Sequence, residues 1–246
     1  MSQTRLVVRA IACDGKFLGP DAGGAWITVR DPATGTVYAN ELVTGTSAGP
    51  ADLMTVSQPR TTPVLPDADT PALDVTIDLA QPTLLEISAY GPWKLKDQGV
   101  GMNRVAMTQT VLPGVGLVGE ILPGGIATGF QIQIPGLAVT LDAPIAHSGV
   151  SVVINAYVTM MCGCKIASVP PWPDSDFDVF ADVFHGNTLL DSIRMQLSTS
   201  QPSTFTATYQ PPQIPRGSLY AVRVRAAQKS FPNSGVSNVV SFVAGW

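Results

Sequence analysis

The sequence predicts an all-β protein made of two tandem immunoglobulin-like antiparallel β-sandwich domains. Three observations carry that expectation. Apolar residues recur with a period of two, turn signals separate the apolar runs at regular intervals, and no segment of helical length shows a helical period. In "LDVTIDL", Leu73, Val75, Ile77 and Leu79 fall on one face, and Asp74, Thr76 and Asp78 on the other.

The strands follow in order. A first set is expected near 4–13, 25–30, 36–43, 52–56, 73–79, 84–90 and 103–111. A second set is expected near 129–141, 150–161, 176–184, 189–197, 203–209, 218–227 and 237–244. Between them stand "CDGK", "DPATG", "SAGP", "YGPW", "LPGG", "FHGN" and "PNSG", all rich in residues that favour turns. Seven short alternating strands per half is the pattern of an immunoglobulin-type sandwich. The domain expectation is therefore residues 1–113 as an N-terminal sandwich, 114–128 as an apolar Gly/Pro connector, and 129–246 as a C-terminal sandwich.

Composition agrees and narrows the function classes. Of 246 residues, 45% are hydrophobic and 13% charged, with 23 Gly and 21 Pro. A net charge of −4 with scattered basic residues gives no nucleic-acid footprint. The longest weakly charged run, 110–130, contains Glu120, two prolines and six glycines, which argues against a transmembrane segment. Arginines interrupt the apolar run of "MSQTRLVVRAIACDG", so no signal peptide is read. The compartment stays open: cytoplasmic if Met1 is the native start, periplasmic or extracellular if this is a mature form.

Two resemblances follow. "CDGKFLGPDAGGAWITVRDPATGTVYANELVTGTSAG" resembles the opening of carboxypeptidase regulatory-like (transthyretin-like) sandwich domains, through Gly15, Leu18, Gly19, Gly24, Ala25, Ile27, Val29, Asp31, Thr34 and Gly35. "GSLYAVRVRAA" followed by "GVSNVVSFVA" resembles bacterial immunoglobulin-like or fibronectin-like modules, with Tyr220 where such domains place a corner tyrosine. Both resemblances imply a sandwich and no particular activity.

Motifs for chemistry are sparse. "GTSAG" fits a nucleophile elbow at Ser47, but Pro50 and a strand-like run follow instead of a helix, and His147 and His185 are the only histidines. "GVGLVG", Gly114 to Gly119, fits a dinucleotide-loop expression but leads into Pro123, not into a helix. Asp174, Asp176, Asp178 and Asp182 are read as a solvated strand face, with calcium as the alternative.

The densest chemistry is "TMMCGCK". An extended strand would place Met160, Cys162 and Cys164 on one inward face, with Met161 beside them. Three readings stay open: a buried strand end, a soft-metal site for copper as Cu(I) using Cys162, Cys164, Met160 and Met161, and a redox or disulfide pair. No cofactor is otherwise expected. Zinc would need ligands that the chain does not offer at metal spacing.

Trp93, Trp172 and Trp246 are expected in loops or at the terminus, as candidate contact anchors, whereas Trp26 is expected in the core. Few lysines guard the strands, and four of the five fall in or beside turns. The function expected is non-enzymatic: a structural or assembly subunit presenting sandwich surfaces to another copy, a filament or another protein.

Overall fold

The computed structural model describes residues 1–13, 15–47, 64–147, 151–211 and 217–244, and the strand expected at 52–56 lies outside them. The chain forms two compact units. Unit 1 holds Met1–Lys94, Met102–Pro135 and Met161–Gly163; unit 2 holds Leu95–Gly101, Gly136–Met160 and Cys164–Trp246. Both are all-β, and no α-helix occurs among the described residues.

In unit 1 the strands are β1 (Ser2–Ala12), β2 (Ala25–Arg30), β3 (Val37–Val43), β4 (Leu73–Leu79), β5 (Thr83–Gly91), β6 (Asn103–Val111), β7 (Ile121–Leu122), β8 (Ile126–Ala127) and β9 (Phe130–Ile134). One sheet runs β4-β1-β9 and the other β3-β2-β5-β6, with β7 and β8 as a short separate hairpin. Their inward positions form the core. Leu6, Val8, Ala10, Ile27, Val29, Leu73, Leu85, Ile87, Ala89, Ile132 and Ile134 are all buried. Burial of this kind supplies the main drive to fold, at roughly 25 cal/mol per Å² of apolar surface.

The β2–β3 hairpin is the expected D-x-x-T-G turn. Asp31 Oδ1 accepts the Ala33 and Thr34 amides at 2.7 and 3.2 Å. The Ala33 amide, the largest influence, holds the Asp31 carboxyl below its usual range.

Residues 114–128 were expected to connect two domains, and the structure differs. They fold onto unit 1: the Leu117 amide donates to the Arg5 carbonyl at 3.0 Å, and the Leu117 carbonyl accepts from Val7 at 3.1 Å. The "GVGLVG" stretch therefore extends the edge of a sheet and opens no helix. The chain leaves unit 1 later, at Pro135–Gly136, where the single strand expected over 129–141 is cut in two. Pro135 has no N–H with which to continue a ladder. β9 pairs parallel with β1 in unit 1, and residues 13–129, with strands β2–β8 among them, separate the two partners in sequence.

In unit 2 the strands are β10 (Leu137–Leu141), β11 (Ile145–His147), β12 (Ser151–Met160), β13 (Phe177–His185), β14 (Thr188–Arg194), β15 (Gln196–Leu197), β16 (Thr204–Tyr209), β17 (Ser218–Gln228), β18 (Ser234–Val236) and β19 (Val240–Ala244). One sheet runs β10-β12-β16-β15 with β11 also on β12; the other runs β14-β13-β17-β18 with β19 also on β17. Alternation fills the core as expected: Val152, Ile154, Ala156, Val158 and Met160 of β12 are buried, as are Val179, Ala181 and Val183 of β13 and Val222 and Val224 of β17. Tyr220 does not make a corner hydrogen bond to backbone. Its ring stacks on Phe242 at 5.5 Å and meets Tyr209 at 6.2 Å, and its hydroxyl has no partner among the described residues.

Candidate functional site

The outer face of the β3-β2-β5-β6 sheet carries the most distinctive surface of unit 1. Register fixes its membership. Trp26 of β2 lies opposite Leu42 of β3 and Tyr90 of β5, while Ala25, Ile27 and Val29 point inward. Trp26 was expected in the core, and the structure turns it outward. The alternation of "AWITVR", with Ala, Ile and Val buried, carries the signal that could have found this.

Trp93 joins the cluster from the loop after β5. Its ring lies 5.2 Å from Trp26 and 6.3 Å from Tyr90, tilted to the first and edge-on to the second. The loop is fastened by backbone bonds: Trp93 donates to the Gly24 carbonyl at 3.1 Å and Lys94 to the Ala22 carbonyl at 3.2 Å. Gly24 has φ +75°, and a Cβ there would stand 2.0 Å from the Val43 carbonyl oxygen, so the position needs glycine.

Polar groups border the aromatics. The Trp26 Nε1–H donates to Asn40 Oδ1, which also accepts the Thr28 hydroxyl at 2.8 Å. Arg30 donates to Glu86 at 2.8 Å, and Arg104 approaches the same oxygen at 3.4 Å. The Arg30 hydrogen bond is the largest influence on Glu86 and holds its carboxyl below the usual range. The face offers an aromatic anchor with a hydrogen-bonding border, which is contact chemistry.

The sulfur stretch departs from the expected parity. β12 ends at Met160, and the chain reverses at once, with the Met160 amide donating to the Cys164 carbonyl at 3.0 Å. Gly163, at φ +87°, makes that turn possible, and a Cβ there would meet Asp21 Cβ at 2.8 Å. Cys162 and Cys164 are thus not successive inward positions of one strand. Met160, Met161 and Cys162 are buried and Cys164 is half-buried. Met161 and Cys162 belong to unit 1, where Cys162 Sγ lies against Gly15, while Met160 and Cys164 belong to unit 2. Among the described residues, no group of three or more His, Cys, Asp or Glu side chains is placed to hold a metal ion.

The remaining candidates separate. Trp172 was expected in a loop, as a contact anchor or as a lid over the end of its own sandwich; it is buried, and its carbonyl accepts the Ala167 amide at 3.0 Å. Trp246 lies outside the described residues. Ser47 belongs to unit 1 and packs against Gly19, whereas His185 belongs to unit 2 and meets the Tyr220 ring at 5.7 Å.

The acidic run is not a uniformly solvated face. Burial pushes the Asp176 carboxyl up, but hydrogen bonds from the Ser230 hydroxyl, the Gln228 amide and the Ser230 backbone outweigh it and hold the group below its usual range. Asp178 pairs with Arg194 at 2.7 Å. Asp182 is buried and accepts from Arg225 and from Ser192 Oγ, the latter at 2.7 Å.

One feature escaped sequence reasoning altogether. A cleft of about 880 Å³ lies on the outer side of the β4-β1-β9 sheet, lined by Arg5, Val7, Arg9, Thr44, Asp69 and Asp74 among others. Arg5 makes a two-point pair with Asp74, at 2.9 and 2.7 Å. Arg9 is only 5% exposed and donates to the carbonyls of Thr70, Pro71 and Ala127. The trace in the sequence is the pair Arg5 and Arg9 in the run "RLVVRAIA", whose other residues are apolar.

Fold and surface together define a two-unit all-β protein built from stacked sheets. No family model matches the chain, and no curated protein matches it. The resemblance to carboxypeptidase regulatory-like domains therefore stays a likeness of motif. Solved structures similar to this chain include the chicken interferon gamma receptor alpha chain, at 10% identity over 100% of this chain and 99% of that one, with a TM-score of 0.32. No helix among the described residues is long and apolar enough to cross a membrane.

Proposed function

We propose that this chain is a non-enzymatic structural or assembly subunit that presents β-sandwich surfaces to another copy, a filament or another protein. The observation that carries the reading is the outward cluster of Trp26, Tyr90 and Trp93 beside Leu42. Tyr90 and Leu42 remain 38% and 36% exposed and join the two tryptophans in one contiguous patch. Aromatic side chains with a polar border are the usual anchors of protein interfaces. The scarcity of charge supports the same reading, since 13% charged residues leave much surface without the repulsion that keeps monomers apart.

Size-exclusion chromatography with light scattering on the full chain tests the self-associating form of this reading. A mass above that of the 25.8 kDa chain is expected. A stable monomer at every soluble concentration would remove self-assembly and leave only a different protein as partner.

A further inference from the structure

Soluble sheets guard their edges with charge, bulges, proline or brevity, because an open edge is a template for another strand. The described edges of both units are guarded in these ways, with one exception. β4 carries Asp74 and Asp78 on its outward positions. β3 carries Glu41, and its register on β2 shifts at Val29/Arg30. β14 carries Asp191 and Arg194, and its register on β13 shifts at Val183/Phe184. β9, β10 and β19 are 5 residues long, and β11, β15 and β18 are shorter still.

β6 is different. It runs 9 residues without proline, and its pairing with β5 shows no shift from Asn103 to Val111. Arg104 is its one charged residue, and Ala106, Met107, Thr108, Gln109 and Thr110 are all exposed. The Gln109 side chain covers the Thr110 carbonyl at 3.3 Å. Otherwise, among the described residues, the backbone of Arg104–Thr110 has hydrogen bonds only toward β5.

We propose that β6 pairs antiparallel with β6 of a second copy, about a two-fold axis at Met107, joining two four-stranded sheets into one of eight. The proposal rests on the assembly reading above and gives it a surface. The charge pattern admits a second copy as the occupant. The two-fold register sets Arg104 opposite the neutral Thr110 of the second copy, Val105 opposite Gln109, and Ala106 opposite Thr108. No like charges meet. The same operation on β4, about Thr76, would set Asp74 against Asp78 twice. On β14, about Asp191, it would set two aspartates face to face. Directly opposed like charges destabilise a strand pair, so the central registers of β4 and β14 are disfavoured, whereas the central register of β6 is permitted. The contact is isologous and closes at a dimer.

The test uses the full chain and two variants, Met107→Lys and Met107→Glu. Met107 stands opposite the buried Ile87 yet is 46% exposed at the sheet edge, which leaves a long charged side chain a path to solvent. Sedimentation equilibrium should find the wild type dimeric. Each variant alone should weaken association on the order of 100-fold or more, because the axis brings like charges together. An equimolar mixture should recover the dimer, with native mass spectrometry showing one copy of each. Unchanged circular dichroism confirms that the variants fold.

If both variants keep the wild-type mass, the β6 interface is wrong while assembly through another surface stands. If both are monomeric and the mixture stays monomeric, the two-fold register at Met107 is wrong. If the wild type itself is monomeric throughout, both the β6 pairing and self-assembly fall.

Discussion

Replacing Arg9 by methionine removes a buried cation and leaves three carbonyls without their donor. Arg9 lies in the central strand β1, and its guanidinium ties two separate segments to it: Thr70 and Pro71 before β4, at 2.7 and 3.2 Å, and Ala127 of β8, at 3.2 and 2.9 Å. A charge-assisted hydrogen bond contributes about 1.5 kcal/mol or more, so four of them total about 6 kcal/mol. Against that stands the cost of holding a cation away from water, which is several kcal/mol. Burial is also what pulls the Arg9 guanidinium below its usual value, with Asp74 and Asp67 opposing. The net expectation for Arg9→Met is a loss of about 2–4 kcal/mol, a drop of roughly 6–16 °C in the unfolding midpoint of unit 1. Arg9→Lys should fall between, because an ammonium cannot span the three acceptors as a planar fork does. Calorimetry reads the midpoint, and amide exchange reads the location: residues 68–72 and 121–127 should exchange faster in both variants. A methionine variant as stable as wild type, with unchanged exchange in those segments, would refute the claim that Arg9 fastens them.

Three further predictions follow from buried groups and the aromatic face. Tyr220→Phe should be neutral or raise stability by up to about 1 kcal/mol in a thermal melt, since the buried hydroxyl has no partner among the described residues; a large loss would mean that the hydroxyl is bonded. Trp172→Ala should cost about 3–5 kcal/mol in unit 2, as for a filled core position. Trp93→Ala should cost far less stability, and the reverse order in a paired denaturation series would overturn the placement of both rings. Asp176 sits below the usual carboxylate range, so its contribution is present at neutral pH and is lost as pH falls from about 4 through its folded value. Asp176→Asn should flatten the acid limb of unit 2's stability, and an unchanged slope in urea unfolding across pH would contradict it.

The strands themselves were readable in one dimension. A period of two is a property of neighbouring residues, so β2, β4, β12, β13 and β17 appear where "AWITVR", "LDVTIDL", "VSVVINAYVTM", "FDVFADVFH" and "YAVRVRAA" stand. Turn chemistry behaved the same way, as the Asp31–Gly35 hairpin shows. The outward position of Trp26 was in principle legible too, but residue type outweighed parity, and parity was the better guide.

What lay beyond the sequence were relations between distant residues. Strand parity stops predicting facing where the chain turns, and so the alignment of Met160, Cys162 and Cys164 ended with the reversal after Met160. The sequence by itself determined an all-β chain of short alternating strands, poor in charge and in guarding lysines. Only the tertiary structure decided that β9 returns to pair with β1, that Arg9 is held by carbonyls 61 and 118 residues away, that Trp172 is interior, and that β6 is left as the long open edge. Alternation is a local consequence of backbone geometry, whereas pairing partners, buried polar contacts and open edges depend on which distant segments the folded chain brings together.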